Sequence, residues 1–186
     1  MTSPNPNPTN GLMAQDSLRR RMIGHGALMI LAALLGGFGL YMHIMGGIEI
    51  SPGRLITFNV PGTEAGWVRC HTGPVANGFM VIVTALGMVH LPVPEKAAKR
   101  IGWVVVMDGW SNVGFYFFGN LSPNRGLALG KTHVGDADVW SVLAFVPAVV
   151  FGFLVVGALS SRVAAITKNR PQSPGLSPFV VCERWA

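Results

Sequence analysis

Four long apolar runs, at residues 22–45, 67–89, 101–118 and 139–163, dominate the chain, with polar segments between them. The apolar residues come in blocks and do not alternate with polar ones, which argues for an integral membrane protein. Each run is close to the ~20 residues an α-helix needs to cross a hydrocarbon core ~30 Å thick. The pattern therefore predicts an all-α fold, an integral membrane four-helix bundle. Between the first two runs, Gly46-Gly47, Pro52-Gly53 and Pro61-Gly62 mark a structured loop with a short extended piece at Leu55-Ile56-Thr57-Phe58. Pro92 and Pro94 punctuate the connection into the third run, and a polar loop from Asn120 to Asp138 leads into the fourth. Residues 1–18, rich in Pro, Asn, Ser and Thr, read as a disordered arm; residues 19–165 form the four-helix domain; residues 166–186 read as a mobile tail.

Composition sharpens this picture. Half of the 186 residues are hydrophobic and only 12% are charged, where a soluble domain carries about 25%. The mean hydropathy of +0.45 points the same way. A net charge of +6 would suit nucleic acid, but the basic residues sit beside apolar blocks, as membrane flanks do, so that partner class is set aside. The triplet Arg19-Arg20-Arg21 before an apolar stretch also describes a signal peptide. However, the stretch exceeds the ~7–15 residues of such a core and lacks a convincing cleavage site, so it reads as the first span. Four spans put both termini on one side. That side holds Arg19, Arg20, Arg21, Lys96, Lys99, Arg100, Arg162, Lys168, Arg170 and Arg184, against Arg54, Arg69, Arg125 and Lys131 opposite. The positive-inside rule then predicts a multi-pass protein of the inner (cytoplasmic) membrane with both termini cytoplasmic. Cys70 and Cys182 lie far apart, which makes a disulfide framework improbable, and Cys70 is expected to pack as a small apolar residue.

The candidate chemistry lies where lipid is expected. Asp108 falls inside the third run, and an ionisable group there costs ~2.5–3.5 kcal/mol on insertion scales, so it usually faces a protein interior and marks function. Asn112 and Tyr116 follow at successive turns, within about 80° of arc on one helix face. The structural alternative is an interhelical hydrogen-bond network that only holds the bundle together. Such bonds average ~0.6 kcal/mol, so a carboxylate is an expensive way to obtain one. His71, in the first turns of the second helix, reads either as an interfacial histidine reaching water or as a metal or haem ligand. Asn77 lies deeper in that helix, and a bend at Pro74 would let His71 and Asn77 face one cavity. His25, between Gly24 and Gly26, suggests close helix packing. His43, His90 and His133 read as solvated. Arg125 orders its loop or contacts an acidic cofactor group such as a haem propionate. No Gly-rich phosphate loop, Cys-x-x-Cys pair, His-Glu-x-x-His or serine elbow is present, which leaves hydride-transfer and hydrolytic chemistry without visible machinery.

Several segments together resemble the styrene oxide isomerase family: Gly46-Gly47-Ile48-Glu49-Ile50-Ser51-Pro52-Gly53, His71-Thr72-Gly73-Pro74, Asn77-Gly78, Asp108-Gly109-Trp110-Ser111-Asn112-Val113-Gly114-Phe115-Tyr116 and Ser122-Pro123-Asn124-Arg125-Gly126-Leu127. The likeness runs from about Arg21 to Val163, with departures in the longer N-terminal arm and the tail. The resemblance implies a membrane isomerase that converts aryl epoxides such as styrene oxide to aldehydes without net redox change. It implies ferric haem b as cofactor and a homotrimer with haem at the subunit interfaces. His71 matches the haem-ligating histidine, Asn77 and Tyr116 match the residues on the epoxide side, and Asp108 lies nearby. The expected partners are a small apolar epoxide, the lipid bilayer and further copies of the chain. Two other classes stay open on the residues alone. A membrane haem electron carrier would need a second axial ligand, His25 or His43. A proton-relay or structural membrane protein would use Asp108 without haem or epoxide.

Overall fold

A computed structural model describes residues 8–88 and 94–168. It is mostly helical: α1 spans Pro8–Met45, α2 Glu64–Gly87, α3 Glu95–Leu121 and α4 Val139–Lys168, with strands β1 (Gly47–Ser51) and β2 (Arg54–Thr57) between α1 and α2. All four apolar runs became helices, and the first and third extend well beyond their apolar cores. Helix α1 begins at Pro8, so residues 8–18, expected in the disordered arm, are helical. Proline is tolerated in a helix's first turn. Leu18 gives the extension a reason, being only 7% exposed and clustering with Ala98 and Ile101 of α3. Residues 1–7, the connection at 89–93 and the tail from 169 onward lie outside the described residues. So do the expected tail mobility there and the placement of His90.

The extended piece at 55–58 is a full hairpin. β1 and β2 pair antiparallel, with Ile48 opposite Ile56 and a register irregularity between Glu49 and Ser51. Glu49 closes the turn by accepting the Gly53 amide at 2.7 Å.

Helix α1 packs along α2, α2 and α1 pack on α3, and α4 packs chiefly on α3. The central core is built from Met22, Met29, Val81, Ala85, Val105 and Val106. Along the α1–α2 seam, glycines bring the backbones together. A Cβ at Gly26 would lie 2.7 Å from the Gly78 carbonyl, and one at Gly36 would overlap the Cys70 carbonyl. This confirms the close packing expected around His25. The outward face of α4 stays apolar and exposed at Val142, Val146, Val150, Phe153 and Val156. Among the described residues, α1 over 15–45 and α4 over 139–161 are long and apolar enough to cross a membrane.

Candidate functional site

His71 is fixed by α1. Its Nδ1 lies 2.9 Å from the Ala33 carbonyl oxygen. A carbonyl only accepts, so Nδ1 carries the proton, and in the neutral ring Nε2 keeps the free lone pair. Gly37 makes room for this contact, since a Cβ there would stand 2.6 Å from Nδ1. Beside the imidazole lies a cavity of about 590 Å³, lined chiefly by Leu34, Phe38, Tyr41, Ile48 and Glu49. Its walls come from α1 and the start of the hairpin, and its size falls within the ~300–1,000 Å³ of small-molecule and cofactor sites. The hairpin therefore contributes to the site, which the turn pairs alone did not indicate. Neither did the sequence point to Ala33 or Gly37; the one available signal was small residues at 33, 36 and 37, a helical spacing that permits close approach.

Tyr116 and Asn77 both reach Gly73, on the other face of α2. The Tyr116 ring lies so close on Gly73 that a Cβ at that glycine would overlap it. The Asn77 amide donates to the Gly73 carbonyl at 3.2 Å. Cys70 is fully buried and its Sγ points to the Tyr116 carbonyl at 3.3 Å, in keeping with its expected packing role. Asp108 is 5% exposed, and its carboxylate accepts no hydrogen bond among the described residues. Asn112 donates to the backbone carbonyl of Asp108 at 3.1 Å and lines a second cavity of about 270 Å³ with Phe115, Phe145 and Val149. The interhelical network offered as the structural alternative is thus not formed among the described residues. Asn77 and Asn112 bond back to their own helices, while the Asp108 carboxylate and Tyr116 hydroxyl have no hydrogen-bond partner among the described residues. His71 and Asn77 do not share the cavity beside His71: six residues apart on α2, they lie about 120° apart around the helix, and Pro74 does not bring them together.

The remaining candidates fall elsewhere. His25 accepts the Trp110 indole proton on Nδ1 at 3.2 Å and meets Trp103 edge-on. His43, expected in water, is half-buried, with Nδ1 3.1 Å from the Val60 carbonyl; it anchors the loop between hairpin and α2. His133 is exposed, as expected. Arg125 adopts φ 61°, is exposed, and does not line the cavity beside His71 within this chain. The side chain that orders its loop is that of Asn124. Fully buried, Asn124 has its Oδ1 2.9 Å from each of the Ser122 and Ser141 hydroxyls, accepts the Gly126 amide at 3.0 Å, and donates to the Ala128 carbonyl at 2.8 Å. Asp138 caps α4, accepting the Ser141 amide at 2.8 Å. Burial pushes the Asp138 carboxyl up, but the Ser141 amide and hydroxyl and the Ser122 hydroxyl outweigh it and hold the group below the usual carboxylate range.

Fold and site together define a helical protein with at least two helices suited to a bilayer and one oriented imidazole beside an apolar cavity. The styrene oxide isomerase family model matches residues 18–166. A styrene-oxide isomerase from Pseudomonas fluorescens is 50% identical over 144 residues, covering 77% of this chain and 85% of that protein. The chain belongs to the styrene oxide isomerase family.

Proposed function

We propose that this protein isomerises aryl epoxides, converting styrene oxide to phenylacetaldehyde, as a ferric haem b protein. The observation that carries the reading is His71, whose Nδ1 proton is committed to Ala33 beside a cofactor-sized apolar cavity. Metal-ligating histidines commonly donate their other ring proton in this way, which fixes the ring and raises its basicity. The donor set fits haem. Among the described residues no three His, Cys, Asp or Glu side chains cluster to hold a bare ion. A porphyrin brings four ligands of its own and needs one imidazole and apolar walls. His71 would hold the iron, and Leu34, Phe38 and Tyr41 would wall the porphyrin. Arg125 lies away from that cavity, so a propionate contact from it would come from a second copy, in keeping with a homotrimer that shares the cofactor between subunits.

When bound, ferric haem supplies an electron-poor centre able to polarise an oxygen, an effect worth several kcal/mol. The chain's own groups do the rest. Tyr116 and Asn77 lie on the other face of α2 from the His71 cavity, so they would act on an epoxide at a haem shared with a second copy of the chain, where the Tyr116 hydroxyl donates to the epoxide oxygen as charge gathers there. Asn77 has one amide proton on Gly73 and a second to offer the same oxygen. The Asp108 carboxylate orients Tyr116 or favours the positive charge at the benzylic carbon. The benzylic C–O bond breaks, a hydride moves to that carbon from its neighbour, and the carbonyl forms on the neighbour, so no atom or electron is gained or lost. Apolar walls exclude water, which would otherwise trap the cation as a diol.

The setting proposed is the inner membrane, crossed by all four helices, with both termini in the cytoplasm. The lipid-ready surfaces of α1 and α4 and the basic flanks support it. The electron-carrier alternative is less well supported. His25 accepts the Trp110 proton on Nδ1, so its Nε2 carries the ring proton and offers no lone pair, and neither His25 nor His43 lines the cavity beside His71.

The test is to add styrene oxide to detergent-purified protein while recording the visible spectrum. A Soret band together with phenylacetaldehyde is expected. Colourless protein that still turns over, or pigmented protein that never does, overturns the proposal.

A further inference from the structure

Asn120 ends α3 with its amide inserted between two glycines of the neighbouring segment. A Cβ at Gly62 would stand 2.6 Å from its Nδ2, and one at Gly66 would overlap its Oδ1. That oxygen accepts the Thr63 backbone amide at 2.9 Å and lies 3.5 Å from the Thr63 hydroxyl. Thr63 is the N-cap of α2, its hydroxyl accepting the Gly66 amide at 3.1 Å. The side chain of Asn120 is therefore hydrogen-bonded to the first turn of α2.

Asn120 also follows Tyr116 by four residues, so both lie on the α2-facing side of α3. Down the seam, Asn120 meets Gly66, the Tyr116 backbone meets Cys70, and the Tyr116 ring meets Gly73. Beyond Asn120, the only hydrogen bond between α2 and α3 among the described residues is the weak one from the Cys70 thiol. The other contacts are apolar and resist sliding only by shape. We infer that Asn120 is a positioning residue: by pinning the cap of α2 to the end of α3, it sets the register that holds Tyr116 over Gly73 and beside Asn77. This rests on the proposed role of Tyr116 in epoxide opening. Misplacement by ~1 Å can cost ~100-fold in rate, so a partial slip suffices to matter.

The test uses the full-length holoprotein carrying 3-fluorotyrosine. The chain has two tyrosines, Tyr41 and Tyr116, so the fluorine NMR spectrum holds two signals, and Tyr116→Phe assigns them. Asn120→Ala should shift or broaden the Tyr116 signal and leave that of Tyr41 in place. It should also lower kcat about 10-fold with KM little changed, while the Soret band stays put. Asn120→Asp keeps the acceptor oxygen and should restore both readouts. Asn124→Ala, which loosens the α3–α4 loop, should lower thermal stability without moving the Tyr116 signal. If Asn120→Ala does not accumulate, Asn120→Ser, too short to reach Thr63, replaces it. An unmoved Tyr116 signal in folded Asn120→Ala or Asn120→Ser overturns the inference, as does an equal shift in Asn124→Ala. The fluorine readout needs no turnover, so protein that fails to isomerise the epoxide refutes the proposed function while leaving the Asn120 inference to the spectrum.

Discussion

The two faces of helix α2 are built by different means. Toward α1, His71 is seated by backbone: the Ala33 carbonyl takes its proton, and the absent side chain of Gly37 makes room. Toward α3, side chains do the work, with the Tyr116 ring on Gly73, the Asn77 amide bonded to Gly73, and the Asn120 amide bonded to the α2 cap. A backbone seat fixes one ring rigidly and suits a ligand that must not move. On α3, the Tyr116 hydroxyl and Asp108 carboxylate have no hydrogen-bond partner among the described residues, which suits the substrate role proposed for them. Under the proposed function, the α1 face holds the cofactor and the α3 face acts on the substrate.

That division is open to attack at each point. His71→Ala should abolish the Soret band and isomerisation together, a loss beyond ~100-fold, since even the outer partners of a metal ligand are worth 10–100-fold; full activity in haem-free protein would break the holding role. Tyr116→Phe should keep the haem spectrum but lower kcat by ~10²–10³, the usual cost of one donor to a developing oxyanion. A bleached Tyr116→Phe variant would show that the two faces are not separable. Gly37→Ala should weaken haemin binding by ~10–100-fold through displacement of the imidazole, measurable by titrating the apoprotein. An unaltered affinity would mean the Ala33 bond is incidental.

Smaller effects belong to the far end of the molecule, where neither face is involved. Asn124→Ala leaves Ser122 and Ser141 short of their acceptor and should cost ~1–3 kcal/mol of stability, with activity per folded molecule retained. The Asp138 cap should be the mildest. Its carboxyl is depressed when folded, so its contribution is fully present above the ordinary carboxylate range and is lost as pH falls through the lower folded value. Thermal melts of the wild type and Asp138→Asn should therefore differ at neutral pH and converge in acid.

The sequence by itself determined the four helices, because hydrophobic block length is a local property that fixes where helices run. It also singled out Asp108, Tyr116, Asn77 and His71, since a polar group within an apolar run is conspicuous at once. It assigned Arg125 a loop-ordering or cofactor role and passed over Asn124 beside it, because an exposed arginine and a buried asparagine look alike in a polar stretch. It set His43 in water, because helix ends are usually wet. The start of α1 at Pro8 was hidden by a composition typical of disorder. Only the tertiary structure decided that His71 faces α1 while Tyr116 of α3 lies on Gly73 of α2, that the hairpin walls the cavity, and that Asn120 reaches Thr63. The physical reason is that these contacts rest on backbone carbonyls, which every residue carries, and on missing glycine side chains. A small residue in a sequence hints at close approach, but neither feature names its partner until the chain has brought distant segments into contact.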